Sequence, residues 1–157
     1  IWIIGDGENK IQIVSASDLF LSIKRSLALN GKNIFNIGSK NVLSLKETFA
    51  YLINKSNSKS RIRHLNKRFG LTILNILSKL RLIDFIDYHN KMLVSNLVMD
   101  TSKIEKTLGL KTTKTNADLM FEAFEDYNNN RSKDLTGSSK KPNMGFFAIV
   151  KFFSKFI

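Results

Sequence analysis

The chain has 157 residues, with 25 basic against 13 acidic side chains, no cysteine and one proline. That length gives room for one ordinary domain, and 43% apolar with 24% charged residues excludes a disordered tail and a bundle of membrane helices. Without cysteine there is no disulfide scaffold, no thiolate zinc site and no thiol nucleophile, and no apolar run reaches the roughly 18 residues of a spanning helix. Nothing at the front resembles a signal peptide, so a cytoplasmic protein is the expectation.

The first residues, Ile1-Trp2-Ile3-Ile4, read as the end of a strand, as if the chain opens in mid-element; the expectation is the back portion of something longer. Gly5-Asp6-Gly7-Glu8-Asn9 is a strong turn signal, and Ile11 to Val14 reads as a second short strand. Ser17 can cap the helix that follows, with Leu19, Ile23, Leu27 and Phe20 as its buried stripe and Asn30-Gly31 as its end. Asn33 to Gly38 reads as a strand running into a glycine. Ser44-Leu45-Lys46-Glu47 then has the spacing of a capping box, opening a helix that carries Leu45, Phe49, Leu52 and Ile53 inward.

After a basic linker, Phe69 to Leu82 has apolar residues at 69, 73, 74, 76, 77 and 80. A face that broad fits a buried helix, a lid over a ligand, or a surface that meets membrane. Residues 84–98 are ambiguous, with Tyr88 and His89 in a loop or short helix. Thr101-Ser102 opens a short helix that ends at Leu108-Gly109, and Asn116 can cap a further helix holding Leu119, Met120, Ala123, Phe124 and Tyr127. Three units follow from this pass: a body over 1–130, a polar linker over 131–143 with the single proline, and an amphipathic tail helix over 144–157. In the tail, Phe146, Ile149, Val150, Phe153, Phe156 and Ile157 share one face and Lys151, Ser154 and Lys155 oppose them, which suits a membrane interface as well as docking on the body.

The net charge of +12 is uneven. Residues 1–54 carry +2, 55–99 carry +7, 100–130 carry −2 and 131–157 carry +5. A cluster as dense as Lys55 to Arg68 can meet phosphates of nucleic acid, nucleotide or lipid. However, 19 lysines, 17 isoleucines and 16 asparagines against six arginines are what AT-rich coding produces. A nucleic-acid binder would interleave arginine and exposed aromatics with its lysines, so no nucleic-acid partner is expected.

Catalytic chemistry is thin. His64 and His89 have no metal-ligand spacing around them, Asp84 and Asp87 read as a solvated helix end, and Gly5-x-Gly7 lacks the third glycine and following helix of a dinucleotide fingerprint. Tyr51-Leu-Ile-Asn-Lys55 matches Tyr-x-x-x-Lys by spacing alone.

Four stretches in order carry a resemblance. Ile4-Gly5-Asp6-Gly7-Glu8-Asn9-Lys10-Ile11-Gln12-Ile13-Val14 with Ser17-Asp18-Leu19 is similar to G-D-G-x-N-R-x-Q-x-V-x-V-x-D-L. Phe35-Asn36-Ile37-Gly38-Ser39 and Ser44-Leu45-Lys46-Glu47 are similar to a strand and helix start of the same family. Asp100 to Gly109 resembles D-x-S-K-[AI]-x-x-x-L-G-W, and Thr115 to Tyr127 looks like its closing helix. Together, over residues 1–130, they resemble the C-terminal half of the extended short-chain dehydrogenase/reductases, the NAD-dependent nucleotide-sugar epimerases and dehydratases. Ser15 stands where that family has His, Leu110 where it has Trp, and Lys10 where it has Arg, keeping the charge without the bidentate fork.

The resemblance implies an α/β fold: the substrate-binding portion of an extended Rossmann-type enzyme, mostly helical with a few short strands, plus the amphipathic C-terminal helix. It implies substrate contacts from Lys10 and Gln12. It also implies NAD or NADP in a full-length parent and none on this chain, because the glycine-rich turn and catalytic Tyr-x-x-x-Lys belong to an N-terminal Rossmann half not among these residues. Tyr51 and Lys55 sit in a different helix from that pair. The expected partners are a nucleotide-sugar, the missing half and, through the tail, a membrane surface. The other reading is a non-enzymatic basic protein that binds membrane or nucleic acid through residues 55–68 and the tail.

Overall fold

The computed structural model describes residues 1–83 and 91–130. They form an α/β arrangement, about half helical, with two short parallel strands. Strand β1 (Trp2–Ile4) pairs with β2 (Arg63–Leu65) in the register Trp2↔Arg63, Ile3↔His64, Ile4↔Leu65. Between them run α1 (Ala16–Ser26) and α2 (Leu45–Lys55); after them come α3 (Lys67–Lys79), α4 (Ser102–Leu108) and α5 (Asn116–Asn130). The strand pair continues at both ends, Arg63 N–H donating to Ile1 O at 2.9 Å and Gly5 N–H to Leu65 O at 2.8 Å. Ile3 is buried at its centre, and Arg63 lies over the Trp2 ring at 5.4 Å. Strand β2 falls inside the stretch that sequence alone reads as linker: Ile1 to Ile4 offers a free ladder, and Arg63-His64-Leu65 takes it.

Helix α1 starts earlier than expected. Ser15, not Ser17, is the N-cap and accepts from Asp18 N–H at 3.0 Å, while Ser17 Oγ bonds to Ser15 Oγ. The helix stops at Ser26, with Leu27 as its C-cap, well before Asn30-Gly31. Its expected buried stripe faces outward: Leu19, Phe20, Ile23 and Leu27 are all exposed, Phe20 by 68% and Leu27 by 81%, and the buried residue is Ser22. The apolar face is present as read, but the described chain leaves much of it uncovered.

Two expected strands are not regular strands. Residues 11–14 make only an isolated parallel bridge, Ile11 to Leu97, beside an antiparallel bridge from Lys10 to Ser44. Residues 33–38 run without regular structure, and Ile34 is 83% exposed. Residues 11–14 touch their neighbours at single points, Gln12 N–H donating to Leu97 O at 2.9 Å and Ser39 N–H to Ile13 O at 2.6 Å, which is too little for a ladder.

Helix α2 opens with the capping box that its sequence announces: Glu47 N–H donates to Ser44 Oγ at 3.3 Å, and Ser44 N–H to Glu47 Oε2 at 2.8 Å. Helix α5 shows the same device one residue earlier than expected. Thr115 Oγ1 accepts from Asp118 N–H at 3.1 Å, and Asp118 Oδ2 accepts the Thr115 N–H at 3.0 Å. Asn116 is therefore the first helical residue and not the cap. Helices α2 and α5 pack together, Tyr51 meeting Phe121 edge-on at 6.5 Å. Helix α4 ends as read, with Gly109 left-handed at φ 60°. Leu110 is buried, as is Ile104. Asp84, Asp87, Tyr88 and His89, the linker over 131–143 and the tail over 144–157 lie outside the described residues.

Candidate functional site

Gly5 and Gly7 both have positive φ, 86° and 76°, which bends the chain sharply after β1. Asp6 steadies the bend by accepting the Glu8 N–H at 3.0 Å. The turn's carbonyls point at the start of α2: Lys46 N–H donates to Gly7 O at 3.0 Å and Leu45 N–H to Asn9 O at 2.9 Å. This local wiring decides what the two glycines do. A dinucleotide cradle would offer amide N–H groups at a helix N-terminus. Here the turn supplies carbonyls to such a terminus, so Gly5 and Gly7 do not fit NAD.

Beyond the turn, the chain is stitched to residues 96–99. Lys10 N–H donates to Asn96 Oδ1 and Leu97 N–H to Lys10 O, both at 2.8 Å; Gln12 N–H donates to Leu97 O at 2.9 Å. Between turn and stitch lies a cleft of about 390 Å³, lined by Ile4, Gly5, Asp6, Glu8, Asn9, Lys67, Val94 and Asn96. One wall is the turn, the opposite one the first residue of α3. The wall chemistry is mixed: an ammonium, two carboxylates and two carboxamides. Asn9 brings a buried amide nitrogen that has no hydrogen-bond partner, a state that costs about 1–3 kcal/mol when left unmet. Such a lining can donate to phosphate or hydroxyl oxygens through Lys67 and Asn96 and accept from sugar hydroxyls through Asp6 and Glu8.

The two residues singled out by sequence fall differently with respect to this cleft. Lys10 has its backbone fixed at the rim through Asn96, a residue of the lining, and its side chain is exposed. Gln12 faces the other way, its carboxamide engaged at both ends: Nε2 donates to Ser39 O at 2.9 Å, and Oε1 accepts Met99 N–H at 2.8 Å. A Cβ on Gly38 would strike the Gln12 side chain. Gln12 thus clips residues 38–39 to 99. Sequence reading missed Asn96, which no motif marks, and had Lys67 only as one member of the Lys55–Arg68 basic cluster, not as a residue of this site.

Tyr51 and Lys55, paired by spacing, are also paired in space. Lys55 Nζ donates to Tyr51 Oη at 3.1 Å and Tyr51 Oη to Asp118 Oδ1 at 2.6 Å. The hydroxyl's hydrogen bond, then the Thr115 donors, hold the Asp118 carboxyl below its ordinary range, and the Tyr51 oxygen pushes Lys55 up. Lys55 also lies 5.3 Å from the centres of both the Tyr51 and Phe121 rings. With its hydroxyl committed to a carboxylate, the pair ties α2 to α5. No group of three or more His, Cys, Asp or Glu among the described residues could hold a metal ion. His64 is exposed and its Nδ1 contacts Gly5 O at 3.0 Å.

Against known proteins, no family model matches the chain. The uncharacterized protein y4nG of Sinorhizobium fredii (strain NBRC 101917 / NGR234) is 28% identical over 130 residues, which are 83% of this chain and 33% of that protein. The chain therefore spans a third of the length of this relative. Among solved structures, a functionally unknown conserved protein from Silicibacter pomeroyi DSS superposes with a TM-score of 0.56 at 12% identity, over 80% of this chain and 40% of that one. The dTDP-glucose 4,6-dehydratase of Bacillus anthracis strain Ames, solved with NAD, superposes with a TM-score of 0.54 at 17% identity, over 84% of this chain and 35% of the enzyme. The likeness is one of fold. This chain is similar to about a third of a Rossmann-type enzyme.

Proposed function

We propose that this chain forms the substrate side of an NAD(P)-dependent nucleotide-sugar epimerase or dehydratase, with the catalytic Rossmann half supplied by sequence outside these residues. The observation that carries this reading is the cleft at the Gly5–Asn9 turn. The start of the most densely matched motif, Gly5 to Lys10, forms its wall and rim, and a dehydratase of nucleotide-linked glucose shares the fold over 84% of this chain.

In that role Lys67 and the exposed Lys10 meet the diphosphate as point charges, while Asp6, Glu8, Asn9 and Asn96 sort the hydroxyls of ribose or sugar. NAD(P) is held by the other half and supplies the hydride chemistry; the residues of this chain bind and orient.

Calorimetric titration of the chain with dTDP-glucose and UDP-glucose tests the reading. It predicts binding by both, weakened about tenfold by Lys67→Ala, in line with the loss of one charge-assisted contact, and none by NAD alone. Equal affinity of the wild type and of the Lys10→Ala/Lys67→Ala double variant would remove the cleft from the account.

A further inference from the structure

Helix α3 has two apolar sides, and the fold uses one. Gly70 packs into the strand pair, where an added Cβ would come within 3.1 Å of the Ile4 side chain and 3.2 Å of Leu65. Leu74 and Leu77 follow Gly70 at helical spacing and are half-buried. The second side is a separate stripe. Phe69, Ile73, Ile76 and Leu80 recur at steps of four, three and four, which places them within one narrow sector of a helix turning about 100° per residue. All four are exposed, Phe69 by 59% and Leu80 by 62%, as is Leu82 just beyond the helix.

Along the chain, the charge flanking this stripe is of one sign. From Lys55 to Ile83 there are eight Lys and Arg and no Asp or Glu. Four of the chain's six arginines, Arg61, Arg63, Arg68 and Arg81, fall in this stretch, although its coding bias runs to lysine. On the helix itself, Arg68, Thr72, Asn75 and Lys79 line up beside the apolar stripe, about a quarter-turn away. The nearest acids along the chain are Glu47 before and Asp84 and Asp87 after, the last two outside the described residues. No described helix is long and apolar enough to cross a membrane, which leaves contact in the plane of the interface as the geometry available to α3.

We infer that α3 is a membrane-interface helix. Its Phe69–Leu80 stripe enters the acyl boundary of an anionic bilayer, and Arg68, Lys79 and Arg81 reach the lipid phosphates. Charge selects this occupant: an apolar stripe flanked by cations on an acid-free stretch is complementary to an anionic lipid surface. The inference is independent of the nucleotide-sugar reading.

The test is co-sedimentation of the full chain with phosphatidylcholine vesicles, with and without about one-third phosphatidylglycerol. Binding is expected to the anionic vesicles only and to weaken as NaCl rises from about 0.1 M to about 0.5 M. Ile76→Glu should weaken it about tenfold or more. The double reversal Arg68→Glu/Arg81→Glu, at surface positions that leave the helix face intact, should do the same, with circular dichroism confirming unchanged helicity. Phe153→Glu in the tail separates the two amphipathic segments and should leave most of the binding in place. Loss with Phe153→Glu but not with the α3 variants would overturn the inference. So would equal binding to neutral and anionic vesicles, or self-association abolished by Ile76→Glu with no vesicle binding.

Discussion

Asn116 ties three segments together through one side chain. Its Oδ1 accepts Leu43 N–H at 2.8 Å, and its Nδ2 reaches Ile11 O, Leu43 O and Thr48 Oγ1 at 3.0–3.2 Å, all from a buried position. One carboxamide therefore joins α5 to the approach of α2 and to the bridge segment at Ile11. Asn116→Ala leaves a backbone N–H and two carbonyls without partners, and should destabilise by about 2–4 kcal/mol in urea unfolding. Ser44→Ala removes one cap and should cost about 1 kcal/mol. Acid should act through the same small groups. The Asp118 carboxyl is held below its ordinary 3.8 by Tyr51 and then Thr115, and Glu47 below its ordinary 4.5 by the Ser44 N–H and hydroxyl. A depressed folded value contributes stability that is complete above the ordinary value and is lost as pH falls through the lowered one. The urea midpoint should thus hold between about pH 7 and pH 5 and drop below about pH 4.5. Asp118→Asn should be less stable at neutral pH and show a shallower acid slope.

At the scale of elements, contacts with no side chain in between set the positions. Gly38 leaves room for Gln12 to clip two segments together, and Gly70 lets α3 lie against β1 and β2. Gly70→Leu should lift α3 off the strands, costing about 1–3 kcal/mol by overpacking, and should expose the helix to limited proteolysis before the rest of the chain. The elements readable from sequence were those that carry their own signals. The capping box at Ser44, the left-handed Gly109 and the Gly5–Gly7 turn are complete within a few residues, and they fell where read. Strand β1 was readable but its pairing was not, because pairing is a long-range choice: Arg63-His64-Leu65 pairs with a segment 61 positions back, while the more strand-like residues 33–38 pair with no strand among the described residues. Asn116 looked like a cap because Thr115, one position earlier, has the same capping chemistry.

Over the whole molecule, apolar surface is distributed in an unusual way. Ile3, Ile104, Leu110 and Ala117 are the buried apolar residues of the described chain, while α1 and α3 each present a full apolar stripe outward. The relative y4nG is three times the span matched here, and the dehydratase likeness covers 35% of that enzyme. The α3 stripe is assigned above to a lipid surface. With the hydride chemistry in the other half, the purified chain given NAD and a nucleotide-sugar should show no turnover. Half of the candidate site was legible in sequence: the turn and Lys10 come from one continuous motif. Lys67 and Asn96 come from segments joined to it by the strand pairing and the bonds between residues 10–12 and 96–99, which local sequence does not encode.

The measurement closest to the central claim is an amide-resolved NMR titration of this chain with dTDP-glucose. Shifts are expected only at Gly5–Lys10, Lys67 and the Val94–Leu97 stretch, with the α2–α5 knot at Tyr51, Lys55 and Asp118 silent. A footprint at that knot, or shifts around the Gly5–Gly7 turn produced by NAD and not by the nucleotide-sugar, would contradict it.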